Sequence, residues 1–208
     1  MAKARGFTPQ LIKKRGGIMS TIRYIADLHF DHANVIKFDN RPFSSIEEMN
    51  SELIRRWNET VKNNDTTYII GDFCWGKADR WVELLQELNG NKVIIRGNHD
   101  LKQPPDKVKR LIQDYKDYKE ITDKKRHVIL CHYPIPFYKS SYNPETYMLC
   151  GHVHNTKESQ YLQALRKELI ASCTEKGDNR GQIFNCWCAY YDYRPMTLDE
   201  LIAYWKVH

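Results

Sequence analysis

The sequence offers no apolar run that could cross a bilayer. Its longest stretch free of Asp, Glu, Lys and Arg covers residues 127–138 and holds two His and two Pro, well short of the roughly 18 residues a membrane helix needs. Internal repeats and low-complexity linkers are also missing, which excludes solenoids, and a hydrophobic content of 41% excludes intrinsic disorder. Cysteine is too thin for a small secreted scaffold, with six in 208 residues (Cys74, Cys131, Cys150, Cys173, Cys186 and Cys188). Reduced thiols in a cytoplasm are the expectation. Cys186 and Cys188 form a lone C-x-C with no second pair at zinc-finger spacing. Strand alternation would put both on one face, and structural use outweighs a zinc site.

A surplus of one charge sign is scarce as well, once the first residues are set aside. The net charge is +6, but residues 1–18 carry five cations (Lys3, Arg5, Lys13, Lys14 and Arg15) and no acid, which leaves the remainder near +1. A nearly neutral body argues against nucleic acid as the main partner. Segment 1–18 reads as a disordered basic arm before a single domain over 19–208, with a tether to an anionic surface as the alternative. It lacks the roughly 7–15-residue apolar core of a secretory signal, and Met19 offers an alternative start.

What is present is an alternation of short apolar runs with amphipathic stretches. Residues 22–26, 66–70, 92–95, 128–131, 146–149 and 182–187 read as strands. Ser44 with Glu47 forms a capping box ahead of Ile46, Met49, Leu53 and Trp57, and Thr197 with Glu200 forms another ahead of Leu201, Ile202 and Trp205. Helices are also expected over 81–88 and 104–115, and on the face made by Tyr161, Leu162, Leu165 and Leu169. Strand, helix, strand, helix, strand predicts an α/β layered fold.

Five of those strands end in residues able to hold a metal: Asp27 with His29, Asp72, Asn98 with His99 and Asp100, His132, and His152 with His154. Loops beyond the carboxyl ends of such strands converge on one crevice. Gathering imidazoles and carboxylates there without a compensating cation or hydrogen bonds costs several kcal/mol per group. A metal centre removes that conflict. In Asp27-Leu28-His29 and His152-Val153-His154 the donors are two apart, which suits capture by one ion or bridging by two. Gly71, Gly97 and Gly151 stand where the chain must turn sharply or approach closely. The His, Asp and Asn set favours manganese, iron or zinc over calcium. Singly, a D-x-H or a G-D is common by chance, and it is the ordered set of five that carries the metal reading.

Those residues, Asp27-x-His29, Gly71-Asp72, Gly97-Asn98-His99-Asp100, His132 and Gly151-His152-Val153-His154, resemble the ordered motifs of the calcineurin-like metallophosphoesterases, in particular their compact bacterial and phage members. The resemblance implies a four-layer fold, two sheets packed face to face and flanked by helices. It implies that Asp27, His29 and His154 hold one divalent ion, that Asn98, His132 and His152 hold the other, and that Asp72 bridges. It further implies that His99, free of metal, stabilises the transition state or protonates the leaving oxygen, while water activated by the two ions attacks phosphorus in line.

The sequence departs from the family's protein phosphatases at G-D-x-x-D-R-G. Here Gly71-Asp72 continues as Phe73-Cys74-Trp75-Gly76, which disfavours a protein substrate and removes the usual orienting partner of the catalytic His. Asp100 is the substitute the sequence suggests. Arg96 is placed either to clamp a phosphate or to pair with an acid in the sheet. His32 is placed to contact substrate phosphate or to cap its loop. Tyr133 and Tyr138 stack on a base or pack locally beside Pro134 and Pro136, and His127 and His208 read as uninvolved. The expected activity is hydrolysis of a small phosphodiester or nucleotide-type ester. The alternatives are a phosphomonoesterase and a non-catalytic metal-binding scaffold of the same fold.

Overall fold

The computed structural model describes residues 20–173 and 180–207. The basic segment 1–18 and His208 lie outside them. Two four-stranded sheets form the centre. The first is wholly parallel, in the order β1 (Ile22–Ile25), β2 (Thr66–Ile70), β3 (Asn91–Ile95), β4 (Asp114–Lys116). In the second, β5 (Tyr118–Asp123) and β6 (Arg126–Cys131) make an antiparallel hairpin, and β7 (Thr146–Cys150) and β8 (Ile183–Asn185) follow in parallel. The helices are α1 (Ala33–Phe38), α2 (Ile46–Thr60), α3 (Ala78–Glu87), α4 (Asp106–Lys109), α5 (Lys157–Ala171) and α6 (Leu198–Val207).

Period-two alternation along the strands builds the layers, because successive side chains leave opposite faces. Tyr24, Tyr68, Ile70, Val93 and Ile95 of the first sheet meet Val128, Leu130, Tyr147, Leu149 and Phe184 of the second, and α6 closes that core with Leu198, Leu201 and Trp205. The intervening residues Ile25, Ile69 and Ile94 face Met49, Leu53 and Trp57 of α2 and Trp81, Leu84 and Leu85 of α3. Beyond the second sheet, Ile129, Met148 and Ile183 pack on Leu162 of α5. Helices, sheet, sheet, helix is the expected four-layer order. Tyr161, placed on the packing face of α5 by its spacing, is instead exposed, and Arg166 is buried.

Two local expectations are corrected, and one turn went unmarked. The capping box of α2 sits one residue later: Ser45 accepts from the Glu48 backbone N–H, and the Ser44 N–H donates to the Glu48 carboxylate. Residues 104–115 do not form one helix. α4 ends at Lys109, and Asp114–Lys116 pairs with Val93–Ile95 as the edge strand β4, where sheet pairing outweighs helical periodicity. The β5–β6 hairpin turns at Lys124 and Lys125, both at positive φ (48° and 72°). Such turns usually use Asn-Gly or Asp-Gly, so no turn signal marked them.

Candidate metal centre

The loops after β1, β2, β3, β6 and β7 converge at one end of the two sheets. The backbone there is bent to do it: Asp27, His29, Asp72, His152 and His154 all adopt positive φ, between 41° and 71°. Non-glycine residues rarely hold that conformation, and strain of this kind persists only where the surroundings impose it. Two glycines make the approach feasible. A Cβ on Gly97 would collide with the Asp72 carboxylate, and one on Gly71, itself at φ +84°, with the His132 ring.

The donors fall into two overlapping groups among the described residues, Asp27 with His29 and His154, and Asp27 with Asp72 and His132; within each, the ligand atoms lie no more than 4.8 Å apart. Asp72 Oδ2 stands 3.6 Å from His29 Nε2 and 3.5 Å from His132 Nε2, between the two imidazoles. Asn98 Oδ1 lies 3.0 Å from both His132 Nε2 and His152 Nδ1. All seven residues expected as ligands are therefore gathered. The first triad is the one the family resemblance implied, and Asn98, His132 and His152 form a contiguous set beside Asp72.

Electrostatics couple the carboxylates of the cluster to its imidazoles. Asp27 and Asp72 are buried, and burial alone would raise their pKa values. His154, His132 and His29 around Asp27, and His132 and His29 beside Asp72, outweigh that and hold both carboxyls below the ordinary range. Burial pushes His29 down to about 3, leaving it neutral. Burial also opposes protonation of His132 and His154, but Asp72 and Asp27 raise the first to about 9, and Asp27 and Asp39 raise the second to about 10. The two buried carboxylates thus lie against imidazoles they hold protonated, and a set of Asp, His and Asn donors converging this closely fits borderline divalent ions, which would take the place of those protons.

Further residues hold the donors in place. His154 Nδ1 bonds Asp39 Oδ1 at 2.8 Å, and its backbone carbonyl accepts from Asn185 Nδ2. The buried Arg41 donates to Asp39 and to the Asp27 and Leu28 carbonyls. His132 Nδ1 bonds the Ile70 carbonyl, which turns Nε2 inward. Sequence reasoning missed Asp39 and Arg41, and no spacing marks them, because Asp39 meets His154 across 115 positions and Arg41 acts on backbone carbonyls, which carry no sequence signal.

The remaining candidates are placed as follows. His99 lies beside the cluster; its backbone N–H donates to Asp72 Oδ1, and its ring centroid is 5.9 Å from that of His29. Asp100, suggested as the orienting partner of His99, instead turns its carboxylate to the backbone N–H groups of Gly97, Asp72 and Phe73. It locks the β2 and β3 loops together, and burial pushes its carboxyl up to about 6. Arg96 bonds Asp117 at 2.6 Å, and lines a cavity of about 370 Å³ with Asn98, Lys102 and Tyr133. His32 stacks on Trp75, 5.3 Å from the His29 ring. Tyr133 is half exposed, 4.6 Å from the His152 ring, whereas Tyr138 is buried and bonds the Thr146 and Gln182 carbonyls. Cys186 and Cys188 are free and buried but do not share a face. Strand β8 ends at Asn185, so Cys186 sits between the sheets and Cys188 in the outer core, with its thiol donating to the Asp27 carbonyl.

Comparison with known proteins gives the family. A sequence profile described as calcineurin-like phosphoesterase matches residues 20–137. An uncharacterized protein of Methanocaldococcus jannaschii is 35% identical over 188 residues, spanning 88% of this chain and 90% of that protein. The gene 66 protein of Mycobacterium phage L5 is 30% identical over 89 residues, 41% of this chain and 42% of its own. Among solved structures, a protein of unknown function from Aquifex aeolicus shares the fold, with a TM-score of 0.65 at 23% identity over 89% of this chain and 99% of that one. No helix among the described residues is long and apolar enough to cross a membrane.

Proposed function

The chain belongs to the calcineurin-like phosphoesterases, and from that premise we propose that it is a metal-dependent hydrolase of phosphate esters, acting on a small phosphodiester or nucleotide-type substrate. The observation that carries the reading is Asp72 Oδ2, which lies between His29 Nε2 and His132 Nε2 with Asp27 shared by both donor groups. That is the arrangement two neighbouring cations need. Asp27, His29 and His154 would hold one, Asn98, His132 and His152 the other, and Asp72 would contact both. When bound, manganese, iron or zinc would supply Lewis acidity at the phosphoryl oxygens and make water a nucleophile near neutral pH.

The protein's own groups complete the step. As the oxygen of water bonds to phosphorus, losing a proton to solvent, and the P–O bond opposite breaks, His99 gives a proton to the departing oxygen and regains one from solvent. His32, on the same side of the cluster, would hold a non-bridging oxygen. The cavity beside Asn98 would take one ester arm. Its Arg96 charge is already answered by Asp117, which suits the single negative charge of a diester better than the double charge of a monoester.

The test is turnover of bis(p-nitrophenyl) phosphate and p-nitrophenyl phosphate by metal-loaded protein. Diester hydrolysis faster than monoester hydrolysis is expected. Preference for the monoester would replace the diester reading, and no turnover of either, with metal bound, would identify a non-catalytic scaffold.

A further inference from the structure

His99 lacks the support its role demands. The residue is exposed, and among the described residues no group hydrogen-bonds its ring, which lies against the rings of His29, His32 and Trp75. Both neighbouring carboxylates are engaged elsewhere: Asp100 accepts from three backbone N–H groups, and Asp72 faces the His99 backbone N–H and the His29 and His132 rings. An exposed imidazole without a fixed partner samples several rotamers, whereas proton donation to a leaving oxygen needs one geometry.

The contact that restricts it comes from Trp75. The indole centroid lies 4.6 Å from that of His99, with the planes inclined at 43°. The same indole stacks on His32, at 4.3 Å and 11°. The two imidazoles, whose centroids are 6.4 Å apart, thus share one aromatic wall. The backbone that carries the wall is fixed from behind: the Trp75 backbone N–H donates to the Phe30 carbonyl, Phe30 bridges Cys74, and the Gly76 N–H donates to Cys74 Sγ. Although 51% exposed, Trp75 is anchored by backbone to the loop that carries His29 and His32. Aromatic pairs at this spacing attract beyond their burial and favour tilted or offset geometries.

We propose that Trp75 is a positioning residue that holds His99, and His32 with it, over the metal-ligand cluster, so that ring packing supplies the orientation a carboxylate would otherwise give. The inference rests on the hydrolase reading for its kinetic consequence but not for its structural one. Two measurements on the full chain separate these.

In the metal-free protein, the His99 ring protons, assigned by their loss in His99→Asn, feel the indole ring current. Trp75→Ala should move them toward random-coil positions, and Trp75→Phe should restore part of the displacement. In the metal-loaded enzyme, a positioned proton donor matters most when the leaving group is a strong base. Trp75→Ala should therefore lower kcat on diphenyl phosphate about tenfold, hardly change it on bis(p-nitrophenyl) phosphate, and leave KM nearly constant, with Trp75→Phe recovering most of the loss. His99 resonances unmoved in Trp75→Ala, or equal losses on both diesters, would overturn the proposal. If the parent enzyme cleaves neither diester, the hydrolase reading fails, while the resonances still decide whether Trp75 holds His99.

Discussion

Asp39 Oδ1 lies 2.8 Å from His154 Nδ1, on the side of the imidazole that faces away from His29 and Asp27. The bond fixes the ring so that Nε2 points into the donor cluster, and Arg41 holds Asp39 through its second oxygen. Outer carboxylates of this kind orient a ligand and strengthen its basicity.

Replacing Asp39 with Ala should therefore weaken metal binding about 10- to 100-fold, as read by chelator competition, and lower stability as well, because the buried Arg41 loses its carboxylate partner. Unchanged affinity would show that Asp39 only packs against the loop. Asp39→Asn should be intermediate, since it can still accept one hydrogen bond.

His99→Ala should leave metal content as it is and cut turnover by about 10²- to 10⁴-fold, the usual weight of a general acid. Loss of metal in this variant would place His99 among the ligands instead.

Asp100→Ala should act on stability before chemistry. Its carboxylate accepts from the N–H groups of Gly97, Asp72 and Phe73, and removing it orphans buried donors at about 1–3 kcal/mol. A clear fall in the denaturant midpoint is expected, together with weaker metal binding, because Asp72 and Asn98 ride on the loops it ties. A variant as stable as the parent would remove this role.

Acid sensitivity should have one source well away from the centre. Asp65 is buried, which alone would raise its pKa, but the N–H groups of Lys62 and Thr21 and the Arg23 guanidinium outweigh burial and hold it below 3.8. A carboxyl depressed in the folded state stabilises the protein at every pH above its unfolded value and loses that contribution as pH falls through its folded value. Asp65→Asn should thus be less stable at neutral pH by about 1–3 kcal/mol and show a shallower decline of stability below pH 4. Parallel pH profiles for the two proteins would rule this out.

Much of this was legible in the chain before folding. Asp27, Asp72, His132 and His152 each follow an apolar run, and the rule that strand ends converge brought them together without knowledge of any distance. Asp39 and Trp75 were not legible in that way. Asp39 meets His154 across 115 positions, and a lone Asp after a short helix carries no periodic or motif signal. Trp75 could be seen only as part of a departure from the protein phosphatase motif, since its partners His32 and His99 are set by the packing of two loops. The edge strands β4 and β5 escaped for a related reason. Their alternation is polar, and the turn beyond β5 uses Lys124 and Lys125 where a glycine would have announced it.

The central claim is that side chains from five loops make one centre for two cations. Anomalous scattering from crystals grown with manganese tests it most directly. The account predicts two peaks, one among Asp27, His29 and His154 and one among Asn98, His132 and His152, with Asp72 between them. A single peak, or peaks elsewhere on the protein, would contradict it.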